Sequence, residues 1–126
     1  MNHCPRIEVK FIDPKHQRFG EVGDWFYDAH EDKMIVFVNQ MVDWRSELAV
    51  AIHEIYESVS CLANDIDQTD VDAFDKQFHR EMTDGSEAGD SKDAPYFFEH
   101  KGATFVEKEV CSQSGISWKD HEKNCE

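Results

Sequence analysis

Between Ser46 and Asp75 the chain carries no lysine or arginine, in a stretch that otherwise reads as a long helix. Asp43 is placed to cap that helix and Asn64 to stop it. Leu48, Ile52, Ile55, Tyr56, Val59 and Leu62 recur at helical spacing and make one apolar stripe, expected to face the core. With no base in reach, the acids of this helix lack an ion-pair partner at the usual three- or four-residue spacing. Whatever fold the chain adopts must solve that problem.

The elements before the helix are strands. In "RIEVKFI" (Arg6–Ile12) apolar Ile7, Val9 and Phe11 alternate with polar residues, as in a strand buried on one face. "DWFYD" (24–28) and "KMIVFVN" (33–39) read as two more, joined by "AHEDK". The unbroken run 34–38 points to a strand covered on both sides. A small antiparallel sheet over residues 1–40 is expected, followed by helices over 43–64, 69–82 and 94–111. Thr69 with Asp72 resembles a capping box for the second helix. A last segment around Ile116, Trp118 and His121 should pack its tryptophan inward. Met34, Phe37, Phe97, Phe98 and Phe105 are expected in the core. Strands first and helices after predict an α+β domain, and 126 residues support one core.

Charge narrows the function. With 27 acids against 13 bases the net charge is −14, a field that repels nucleic acid and anionic membrane and attracts cations or basic proteins. No apolar run approaches the ~20 residues of a membrane span, and the opening Met-Asn-His-Cys-Pro-Arg has no apolar leader segment. A cytoplasmic protein is expected. Cys4, Cys61, Cys111 and Cys125 form no Cys-x-x-Cys pair and read as free thiols, with Cys4 and Cys125 exposed.

The chemistry concentrates in "AIHEIYESVSC" (51–61), which holds His53-Glu54-x-x-Glu57. Residues four apart share a helix face, so His53 and Glu57 can hold one ion. Glu54 lies about 100° round, where a zinc hydrolase keeps its general base. The neighbours of His53 and Glu57 are small: Ser46, Ala49, Val50, Ser60 and Cys61. In the later helix Tyr96, His100, Ala103, Thr104 and Glu107 share a face, and Gly102 invites close approach of another element. His100 is the expected third ligand. His, Glu and His plus a water would form an open zinc site of catalytic type. Glu107 reads as an outer partner of the ligands or a surface acid, and Glu87, Asp90 or Glu107 itself as an outside candidate for a fourth ligand. Asp75 and His79, flanked by Lys76 and Arg80, read as a solvated face. The acids of the 83–93 loop lack calcium-loop spacing. No nucleophile elbow, phosphate loop or dinucleotide fingerprint is present.

"GDW" (23–25), "DWRSELAVAIHEIYE" (43–57), "VDAFD" (71–75) and "APYFFEHKGATFVE" (94–107) together resemble a group of small proteins of tailed bacteriophages and prophages. That group's H-E-x-x-E helix and later P-Y-x-x-x-H block look like a degenerate zincin, the fold of small metallopeptidases. The resemblance implies a minimal zincin-like domain with Zn²⁺ on His53, Glu57 and His100, and Glu54 as base. Glu57 departs from the peptidase signature, which has a second histidine there. The expected function is a metal-dependent hydrolase of phage origin acting on a peptide or protein, with Tyr96 assisting at the oxyanion. An exposed strand edge could seat the extended peptide. The alternative is an acidic, non-catalytic protein that binds a host or defence factor, any metal being structural.

Overall fold

The computed structural model describes residues 3–126, so the first two residues of the opening segment, read as lacking an apolar leader, lie outside the described residues. It is an α+β fold: a three-stranded sheet, then four helices. The strands are β1 (Arg6–Ile12), β2 (Gly23–Asp28) and β3 (Lys33–Asn39). Their order is β1-β3-β2, with β2 antiparallel and β1 parallel to β3. The sheet is therefore mixed, where an antiparallel one was expected. Alternation specifies which face a strand buries but not its direction. Ile7, Val9 and Phe11 sit opposite Met34, Val36 and Val38; Ile7 and Val9 pack on the core in this parallel register, whereas Phe11 is 40% exposed. The loop and β2 together carry the chain back for the parallel return.

The first long helix, α1 (Trp44–Ala63), lies against the sheet and against α3 (Phe97–Ser114). Asp43 caps α1 through the Arg45 N–H at 2.9 Å. The second helix, α2 (Gln68–Glu81), is capped by Asp67, not Thr69. Pro95 and Tyr96 stay outside α3, which ends on Gly115 in the left-handed conformation (φ 81°). The terminal segment is a helix, α4 (Trp118–Asn124), capped by Ser117. Its Trp118 packs, half-buried, on Ala49, Cys111 and Ile116. Among the described residues no helix is long and apolar enough to cross a membrane.

The main departure concerns which side of α1 is inside. The residues buried on α1 are Ser46, Ala49, Val50, Ala51, His53, Glu54, Glu57, Ser58 and Cys61. The stripe expected in the core faces outward in large part: Leu48, Ile52, Tyr56 and Val59 are 38–42% exposed. Only Ile55 and Leu62 of that stripe pack on the main core. Phe98 and Phe105, also expected inside, are exposed as well. Small side chains explain the inversion. Ser46, Ala49, Val50 and Ser58 let the sheet and α3 approach α1 closely, and the bulky stripe is left for the outside. The predicted close approach at Gly102 is present, since a Cβ there would lie 2.8 Å from the Tyr56 ring.

Candidate metal centre

Four elements converge where α1 crosses the end of β2. From α1 come His53, Glu54 and Glu57, and from α3 His100 and Glu107. Trp25 and Gly23 belong to β2, while Glu87, Gly89 and Asp90 belong to the short turn before α3. The predicted trio does meet. His53 Nε2 is 3.2 Å and His100 Nδ1 2.9 Å from the same Glu57 oxygen, Oε2. The three ligand atoms lie within 4.8 Å of one another, on buried side chains.

Each of the three is held from behind. Trp25 Nε1–H donates to Glu57 Oε1 at 2.9 Å, which leaves Oε2 at the shared point. His100 turns Nε2 to Asp90 Oδ1 at 3.1 Å and Glu87 Oε2 at 3.3 Å. His53 Nδ1 lies 2.7 Å from Glu107 Oε1, though out of line for a hydrogen bond. Glu107 in turn pairs with His121 of α4, whose Nδ1 meets Ser46 Oγ at 2.9 Å. Each imidazole thus has a carboxylate on one nitrogen and directs the other at Glu57.

Two glycines make the packing feasible. A Cβ on Gly89 would lie 2.4 Å from the His100 ring, and one on Gly23 2.7 Å from Glu54 Cγ. Glu54 is 6% exposed and, among the described residues, accepts no hydrogen bond; its nearest cationic group is His53 Nε2 at 3.6 Å. The cavity in this partly open cleft measures about 60 Å³, room for an ion with a few waters.

Electrostatics follow from this crowding. Burial, reinforced by Glu57, raises the Glu54 carboxyl well above its ordinary pKa. Burial works the same way on Glu57, but bonds to His100 and His53 overcome it and hold Glu57 low. Burial opposes a charge on His100, yet Glu57 and Glu87 push it up to about 10. His53 is raised for the same reason, by Glu107 and Glu57 against burial. Beyond the trio, burial lifts Glu21 to about 8 and Asp75 to about 7. The cleft is therefore lined by more carboxylates than its surroundings can keep charged.

The donor set fits a small divalent ion. Tetrahedral zinc with bonds of ~2.0–2.1 Å has ligand–ligand edges of roughly 3.3 Å; the two histidine–Glu57 separations, 3.2 and 2.9 Å, lie close to this, and all three ligand atoms lie within 4.8 Å of one another. Outer carboxylates on both histidines are the arrangement that fixes tautomer and ring orientation at metal sites. A second trio, Glu87, Asp90 and His100, shares its histidine with the first but has exposed carboxylates.

Tyr96 is buried beside His100, but its hydroxyl already donates to Asp75, so it is not free for an oxyanion. Asp75, expected on a solvated face, is 7% exposed and belongs to this cleft. Nor does β2 offer a clear edge to a peptide: Gln68 of α2 takes the Tyr27 N–H, and Arg18 ties Asp24 to Asp72. All four cysteines are free; Cys4 is exposed, whereas Cys125 is half-buried at the cleft. Sequence reasoning missed Trp25, Gly23, Gly89 and the His121–Ser46 pair. Trp25 and Gly23 stand together in "GDW", the one signal that was available. Comparison of the chain with protein-family models, curated proteins and solved structures returned no significant match.

Proposed function

We propose that this protein is a zinc-dependent hydrolase of tailed-phage origin, acting on a peptide bond. One observation carries the reading: two buried imidazoles, each backed by its own carboxylate, aim their remaining nitrogens at one carboxylate oxygen. His53, Glu57 and His100 would hold the ion. Bound there, the ion supplies a Lewis acid and lowers the pKa of its water to about 7. Glu54, buried beside His53 with its carboxylate 3.6 Å from His53 Nε2, would accept the proton of that water. Trp25 and Glu107 position Glu57 and His53, and Tyr96 holds Asp75 at the cleft wall.

Metal analysis of protein prepared without a histidine tag tests this. About one zinc per chain is expected, lost in His53→Ala. Glu54→Gln should keep the zinc while peptide hydrolysis disappears. A metal-free protein whose melting temperature ignores both zinc and chelator would sink the reading.

A second reading rests on the network's ability to close without an ion, since protonated His53 and His100 neutralise Glu57 and Glu107. The cluster is then a structural device in an acidic protein that binds a host or defence factor through its −14 charge. On this reading Glu54→Gln is silent, and partner binding weakens as ionic strength rises.

A further inference from the structure

Between Leu48 and Ala63 the acidic and imidazole side chains are His53, Glu54 and Glu57, and all three are buried on the inner side of α1, while no lysine or arginine occurs. The outward side is thus uncharged over four turns. It shows Leu48, Ile52, Tyr56 and Val59. Helix α3 runs antiparallel beside it: Asn64 bonds Glu99 at one end, and Arg45 bonds the Ser114 and Gly115 carbonyls at the other. Phe98 and Phe105 of α3, 77% and 68% exposed, flank Gly102, which lies against Tyr56. The two rows form a largely apolar face, interrupted on α3 by the exposed Lys101 and Glu109 that share its spacing.

We propose that this face is the interface of a homodimer, with a second copy of the chain as its occupant. Size is the first argument. The six exposures amount to on the order of 700 Å², near the ≈ 800 Å² each partner gives a standard interface and above what monomers usually leave bare. Charge is the second. A chain of net −14 would recognise a basic partner through its acids, yet this outward side of α1 has none to offer. The third is shape: an antiparallel helix pair stacks on its own copy about a twofold axis as a four-helix layer, and twofold dimers are the commonest assemblies. The proposal does not depend on a metal.

Salt dependence provides the test. Two chains of −14 repel each other outside the contact, so dimerisation should tighten as that repulsion is screened. Sedimentation equilibrium at about 50 and about 500 mM NaCl should show a dimer at micromolar concentration, stronger in the higher salt. Ile52→Glu with Phe105→Glu should weaken it at least 100-fold, while circular dichroism remains that of the native chain. If that pair misfolds, Phe98→Ser with Phe105→Ser, at the two most exposed positions of the face, should still weaken the dimer at least 10-fold. A wild-type monomer at about 100 µM in both salts hands the face to a different partner and overturns the proposal. So does a dimer indifferent to both variants.

Discussion

The two faces of α1 invert the usual order of a helix in water. The inner one carries a histidine, two glutamates and two serines among small residues; the outer carries leucine, isoleucine, tyrosine and valine. Burial of carboxylates is tolerated only where each finds a partner. Here Glu57 has three, while Glu54 has a single loose contact. The outer face has no such requirement, and its exposure costs solubility instead of stability. Hydrophobicity alone therefore does not decide which side of a helix goes inside. Side-chain size and the availability of polar partners decide it together.

The most damaging substitution should be Glu57→Ala. It leaves the Trp25 N–H and two imidazoles without their shared acceptor, and urea unfolding of metal-free protein should show a loss of about 3–5 kcal/mol. A loss below about 1 kcal/mol would mean that the inner face is no better built than a surface ion pair. Next comes Gly89→Ala, whose added methyl must displace the His100 ring. Destabilisation of about 1–3 kcal/mol is expected, with zinc affinity reduced in the same protein. His121→Ala acts from further away: by freeing Glu107 it should cost about tenfold or more in zinc affinity, read by competition with a chelating dye. The smallest effects belong outside. Phe98→Ser and Phe105→Ser should each shift monomer stability by no more than about 0.5 kcal/mol.

The acids of the cleft add a pH signature. Glu21 and Asp75 have folded pKa values raised to about 8 and about 7, from ordinary values of 4.5 and 3.8. Each favours folding in its protonated form. That stability is complete below the ordinary values and is lost as pH rises through the raised ones. The melting temperature of metal-free protein should accordingly fall between about pH 4 and pH 8. A rise over that interval would show that these carboxyls are solvated and the cleft open.

Much of the site was legible because helical spacing is rigid. His53 and Glu57 one turn apart, and His100 with Glu107 two turns apart, could be assigned to faces without coordinates. The meeting of those faces was signalled by Gly102 and by the run without bases. The direction of β1 was not legible, because a parallel and an antiparallel register bury the same side chains. The inward turn of the polar face was half visible, in the small residues beside His53. The contribution of α4 was hidden because nothing local at His121 tells that Ser46, 75 residues earlier, completes its hydrogen bonding. The exposure of Phe98 and Phe105 was missed for a different reason: aromatic residues are placed inside by default, and an interface breaks that default.

Gly23 and Gly89 bear on how kin of this chain are to be found. A His-Glu-x-x-Glu pattern arises by chance in many acidic helices and so sorts sequences poorly. At each of these two positions a Cβ would lie under 3 Å from a site side chain, so any residue but glycine displaces that side chain and is selected against. A search that demands a glycine directly before an Asp-Trp pair, and another eleven residues ahead of the later histidine, would discard coincidental helices. It would retain only chains able to close this pocket.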